Sequence, residues 1–245
     1  MVYLVQIYNE CVNDLINASN KNLDVRESIQ GIYINKLTEK TVSDAAEVLQ
    51  YMEQGDEVRN VAETKLNEAS SRSHTVFRIN IQSKPVEDSE GKIKISQLNL
   101  VDLAGSEGVN KTHADGLRLR EGSNINRSLL ALSNVINKLS QGNGKTFINY
   151  RDSKMTRILQ ASLGGNSKTA IICTMTQTLS NYQETVNTLH FGQKAKHVKT
   201  KVNVNEISLL NSSATSSVEL ERANSLIAEL RERVKFFENQ MLAPV

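Results

Sequence analysis

The chain opens on a run that is apolar at nearly every position. Val2-Tyr3-Leu4-Val5-Gln6-Ile7-Tyr8 is β-branched and aromatic and predicts a strand, begun directly after Met1 with no leading residues to cap or cover it. Gln30-Gly31-Ile32-Tyr33-Ile34 predicts a short strand after a turn. Ser43-Asp44 opens a helix, Ala45 to Gln54, which Gly55 closes. Val76 to Ile81 alternates apolar and polar residues as a half-buried strand does. Across a charged turn from Pro85 to Gly91, Lys92 to Val101 returns as a second strand, and the two read as a hairpin.

Helical spacing takes over from Asn124 to Ser140, where Ile125, Leu129, Leu132, Val135, Ile136 and Leu139 recur every three or four residues. Ser153 is placed to cap a further helix running through Leu163, ended by Gly164-Gly165. Thr169 to Thr174 is an apolar run suited to a buried central strand, and Glu184 to Lys196 reads as the last helix of the domain. The pattern is α/β. Composition changes near Val202. Ser208 to Ser217 is a serine-rich connector, and Leu220, Ala223, Ile227, Leu230, Val234, Phe237 and Met241 then form a seam of about three heptads. A dimerising coiled coil and a lone amphipathic helix docked on the domain both fit so short a seam.

Composition changes this picture little. Over 245 residues, 39% hydrophobic and 23% charged residues are the balance of a globular protein, and a net charge of +2 names no partner. Cys11 and Cys173 form no CxxC or Cys/His cluster, which fits a reduced intracellular chain. No stretch reaches the roughly 20 apolar residues of a membrane span, and the N-terminus lacks the pattern of a signal peptide. Membrane association is not expected.

Two segments carry candidate chemistry. Asn67-Glu68-Ala69-Ser70-Ser71-Arg72-Ser73-His74 is a dense polar loop directly before a strand. In Leu98-Asn99-Leu100-Val101-Asp102-Leu103-Ala104-Gly105-Ser106-Glu107 an apolar strand ends at an aspartate followed by a glycine turn. A carboxylate at the tip of a buried strand suits Mg²⁺ held through water, and a glycine N–H beside it can face a phosphate. On its own the second segment reads more readily as a strand-ending aspartate in an ordinary turn.

Taken together the two segments resemble the switch I and switch II motifs of kinesins, NxxSSRSH and DLAGSE, complete and in order. The resemblance continues through Asn124 to Leu129, Tyr150 to Arg157 and Leu163 to Asn166, and extends from about Val2 to Glu206. Asn126-Arg127-Ser128 and Phe147 to Arg151 look most like the centromere-associated, kinesin-seven group. The implied fold is the kinesin-type P-loop NTPase motor domain, α/β, with an incomplete central sheet on which Thr169 to Thr174 would lose neighbours, followed by a C-terminal helix with coiled-coil potential. Residues 1–197 would form a partial motor domain, 198–207 the neck linker, 208–217 a linker, and 218–243 a heptad helix with potential for a homodimer.

The resemblance also implies roles. ATP and Mg²⁺ are the implied cofactors. Asn67 would contact the nucleotide, and Ser70 and Ser71 would face Mg²⁺, the γ-phosphate and the attacking water. Asp102 would hold magnesium-bound water, Gly105 would sense the γ-phosphate, and Arg72 with Glu107 would form the salt bridge that closes the switches. Ser73 and His74 read as support for their loop. The stretch from Lys111 to Arg157 carries nine basic against three acidic side chains. In kinesins it faces the acidic microtubule surface, with Lys111, Arg127, Arg151, Lys154 and Arg157 as contact candidates here. Nucleic acid is the competing polyanion, and no aromatic platform supports it. The implied location is cytoplasmic and cytoskeletal, on microtubules, with spindle and kinetochore open.

One part is missing. The sequence contains no G-x-x-x-x-G-K-[ST] loop, whose amides and lysine hold the β- and γ-phosphates. Gly144-Lys145-Thr146 does not supply it, because Leu139 stands where the first glycine belongs. The expectation is that the 245 residues alone neither hydrolyse ATP nor fold stably, as a fragment of a complete motor would behave. Two alternatives stay open: a non-catalytic microtubule-binding protein, and an interaction protein acting through its C-terminal helix. Asn149, Gln177 and Ala161 depart from residues common in the family and touch none of the switch chemistry.

Overall fold

The structure, a computed structural model, describes residues 1–29, 31–64, 72–84, 92–106, 117–142 and 147–208, with backbone only at 60–64 and 117–125. Contacts divide the chain into two units, 1–80 with 97–203, and 81–96 with 204–245.

In the first unit the opening run is strand β1 (Val2–Tyr8), which pairs antiparallel with β2 (Cys11–Asp14) on one edge and with β5 (Ser73–Ser83) on the other. Strand β6 (Lys92–Asp102) lies beyond β5. Strand β1 is buried on both faces, which explains its unbroken apolar sequence. Tyr3, Val5 and Ile7 join one core, shared with Leu132, Val135 and Ile136 of helix α2 (Leu117–Ser140) and Met155 and Ile158 of helix α3 (Lys154–Ile158). Val2 and Leu4 face the opposite way, against Val48, Tyr51, Met52 and Val58 of helix α1 (Ala45–Thr64). Each fully buried aliphatic side chain contributes about 1.5–3 kcal/mol, so the sheet is held from both sides.

The turn joining β1 to β2 has two residues, Asn9 and Glu10, both at positive φ (52° and 59°). That is the backbone a two-residue hairpin needs, and glutamate rarely adopts it. Its side chain gives the reason. One Glu10 carboxylate oxygen accepts the Ser153 hydroxyl at 2.8 Å and the other accepts the backbone N–H of Lys154 at 2.7 Å. Ser153 in turn accepts from the N–H of Met155, so the hairpin turn and the N-cap of α3 secure one another.

Several boundaries differ from the sequence reading. Helix α1 does not stop at Gly55 but passes through it. A Cβ there would stand 1.9 Å from Cδ2 of Leu4, so the glycine is needed for close approach to β1 and not for termination. The start of α1 is as predicted: Asp44 accepts from the N–H of Glu47, whose carboxylate accepts from the N–H of Ser43. Helix α2 begins seven residues earlier than the predicted Asn124. The helix predicted from Ser153 to Leu163 is two short ones, α3 and α4 (Gln160–Gly164), broken at Leu159. Strands β2, β3 (Val25–Ser28) and β4 (Gly31–Ile34) complete the first unit's β structure, β3 and β4 pairing as a separate two-stranded sheet; only β4 was predicted.

Thr169 to Thr174, predicted as a buried central strand, is in no ladder, and Ile172 is 90% exposed. Among the described residues no strand lies beside it, and an extended segment without a neighbour has no backbone partners to make it a strand. Helix α5 (Tyr182–Lys196) follows, starting two residues before the predicted position. In the second unit the region expected as neck linker contributes β7 (Glu206–Ser208), paired antiparallel with Lys92 to Lys94 of β6. The serine-rich connector and the heptad helix lie outside the described residues.

Candidate functional site

The ends of β5 and β6 place the two candidate motifs. Arg72 is half-buried immediately before β5; Asn67, Ser70 and Ser71 lie outside the described residues. Asp102 is the last residue of β6, with its side chain 68% exposed, and Gly105 follows three residues on. Glu107 lies outside the described residues, so the Arg72–Glu107 pair remains an expectation. The structure adds a residue the sequence reading passed over. Arg59 reaches from α1, largely buried, and its Nη1 donates to Oδ2 of Asp102 at 3.3 Å. A carboxylate presented at a strand tip beside a guanidinium is a hard oxygen donor open to solvent on its other side.

His74 was read as loop support, and the structure gives it more definite work. It lies on β5 opposite Ile7 and is 2% exposed. Its Nδ1 accepts the backbone N–H of Ala104, two residues past Asp102, at 2.9 Å. Its Nε2 is 2.6 Å from Oγ of Ser128 on α2. With Nδ1 accepting, the neutral ring carries its proton on Nε2 and donates it to Ser128. Burial pushes the imidazole down from its ordinary 6.5 to about 4, against the smaller upward pull of the Asp102 carboxylate. Ser73 beside it accepts from Nε2 of Gln6 on β1 at 3.2 Å, in the interior.

The basic candidates stand on α2, α3 and the 3₁₀ turn Tyr150–Asp152 before α3. Arg127 is exposed on α2. Arg151 is also exposed, but its guanidinium is paired with Glu27 of β3 at 3.0 Å. Lys154 opens α3 with its backbone held by Glu10, and Arg157 closes the same helix, half-buried. Lys138, counted in the basic stretch, donates to the carbonyl of the exposed Phe147 at 3.2 Å. Lys111 lies outside the described residues. Asn149, which departs from the family's usual residue, caps the turn before α3: it accepts from the N–H of Arg151 and donates to Asp152.

Among the described residues, no group of three or more His, Cys, Asp or Glu side chains is placed to hold a metal. Among the same residues, no helix is long and apolar enough to cross a membrane. Among the described residues Asp102 fits the magnesium side of a nucleotide site, and the sequence contains no G-x-x-x-x-G-K-[ST] loop for the β- and γ-phosphates.

Residues 1–198 match the family model described as the kinesin motor domain. The kinesin-like protein KIN-7L of Oryza sativa subsp. japonica is 45% identical over 248 residues, covering all of this chain and 38% of that protein. Centromere-associated protein E of Homo sapiens is 45% identical over 240 residues, covering 96% of this chain and 9% of that protein. Among solved structures, a fast kinesin superposes with a TM-score of 0.76 at 47% identity, covering 84% of this chain and 58% of that one. A KIF14 dimer bound by two heads to a microtubule with AMP-PNP gives 0.73 at 38% identity, covering 83% and 59%.

Proposed function

Since the chain belongs to the kinesin motor-domain family, we propose that it is the switch-bearing, track-facing portion of an ATP-driven microtubule motor of the kinesin-seven type. The observation that carries this reading is the strand end at Asp102: an exposed carboxylate next to Arg59, joined within two residues to a buried bridge that ends on α2. On this reading Asp102 holds magnesium-bound water, Gly105 faces the γ-phosphate, Ser70 and Ser71 complete the magnesium side, and Asn67 meets the nucleotide. ATP with Mg²⁺ supplies the phosphoryl chemistry when bound. Arg72 and Glu107 pair to close the two loops. The β-phosphate loop comes from sequence outside these 245 residues.

Arg127, Arg151, Lys154, Arg157 and Lys111 meet the acidic tubulin surface, with Arg151 exchanging Glu27 for a tubulin carboxylate. The protein then works on cytoskeletal microtubules, and residues 218–243 pair two copies. A second reading, a microtubule-binding protein without catalysis, is favoured by the absent G-x-x-x-x-G-K-[ST] motif. Capture of the native product with an antibody to residues 205–245, followed by peptide sequencing and ATPase assay, separates the two. A product longer than 27.2 kDa, carrying that motif and stimulated by microtubules, is expected. A 27.2 kDa product that binds microtubules equally with and without nucleotide would establish the second reading instead.

A further inference from the structure

The bridge through His74 joins the strand end that carries Asp102 to the helix that carries Arg127. On one side is the backbone of Ala104, between Asp102 and Gly105. On the other is Ser128, buried on α2 directly after the exposed Arg127. Ring, amide and hydroxyl are all enclosed, and β5 fixes the ring to the sheet through its pairing with β1. We propose that His74 is a positioning residue that couples the setting of α2 to the setting of the Asp102–Gly105 strand end.

The coupling follows from geometry. An imidazole is a rigid plane with one donor and one acceptor, here engaged at 2.6 Å and 2.9 Å. Hydrogen bonds weaken steeply with stretch and misalignment, and a buried group that loses its partner finds no water in exchange. A shift or rotation of α2 that carries Ser128 away therefore either draws the strand end with it or breaks the bridge. Those are two discrete settings, the kind of element through which one site biases another. Because Arg127 and Ser128 are consecutive, an acidic surface engaging the outer face of α2 acts one residue from the bridge.

The structural half is tested by nuclear magnetic resonance on the complete motor, selectively labelled at histidine, alanine and glycine. His74 should show a protonated Nε2 and an unprotonated Nδ1, and Ser128→Ala should displace the amide resonances of Ala104 and Gly105. Those amides unmoved by Ser128→Ala would overturn the proposal. The functional half rests on the motor reading and uses the complete motor. His74→Asn keeps an acceptor near the Nδ1 position but cannot reach Ser128. In that variant, and in Ser128→Ala, the ratio of microtubule-stimulated to basal hydrolysis should fall about five- to tenfold. The double variant should fall no further, and Ser128→Thr, which keeps the hydroxyl, should restore the ratio. An unchanged ratio in folded His74→Asn would overturn the proposal. An unmodified motor without microtubule stimulation would overturn the motor reading, while the amide shifts still decide whether the bridge couples the two elements.

Discussion

His74 and Glu10 show how single side chains set local geometry in this fold. His74 is held neutral by burial, titrating near 4 against an ordinary 6.5 in the unfolded chain. The unfolded chain therefore binds this proton more readily, and the stabilisation present above pH 6.5 is lost progressively as pH falls toward 4. The full span corresponds to roughly 3 kcal/mol. Urea unfolding at pH 7.5 and 4.5 should show a loss between the two that shrinks in His74→Asn, and an identical loss in both proteins would contradict this assignment. Glu10 combines a positive φ with two hydrogen bonds to the start of α3. Glu10→Ala should cost about 1–2 kcal/mol, because the cap is lost and the strained backbone kept. Glu10→Gly loses the same cap but relieves the strain, and should be the milder of the two in denaturant midpoint. A reversed order would mean that the turn carries no strain.

At the level of elements, Gly55 separates helix propensity from packing. In an isolated helix Gly→Ala stabilises by about 1 kcal/mol, but here the added methyl enters the space of Leu4 in a filled core. Gly55→Ala should lower the thermal midpoint; a raised midpoint would show that Leu4 repacks without cost. The same residue shows where the sequence was readable and where it was not. A glycine after a helical run reads as a terminator, and only its spatial neighbour reveals the other role. The periodicity of α2 and the continuous apolar run of β1 were legible because one pattern decided each. Strand β2 was not, since Cys11 to Asp14 owes its pairing to the preceding turn. The Thr169 to Thr174 run has the composition of a buried strand, but strand formation depends on neighbours, and the incomplete sheet implied by the resemblance leaves it without them among the described residues. For the site, Asp102 and Gly105 were legible as a motif. Arg59 and the link from His74 to Ser128 join residues far apart in sequence and became visible only in three dimensions.

For the whole molecule, the proposed function joins a track-binding face to a nucleotide-sensing strand end. Its basic face is less uniform than its charge count implies. Arg151 already has a partner in Glu27, an exposed pair that contributes at most about 1 kcal/mol and is readily exchanged, while Lys138 is engaged by the carbonyl of Phe147. Among the described residues, Arg127, Lys154 and Arg157 form no ion pair with an acidic side chain, and Arg127 and Arg157 carry the sharpest test. The decisive measurement is co-sedimentation of the complete motor that contains these residues with polymerised tubulin, at low and at raised salt, for the unmodified sequence and for Arg127→Glu with Arg157→Glu. Saturable binding is expected at low salt, weakening several-fold as salt rises and at least tenfold in the double variant. Absence of saturable binding, or binding indifferent to both salt and charge reversal, would contradict it.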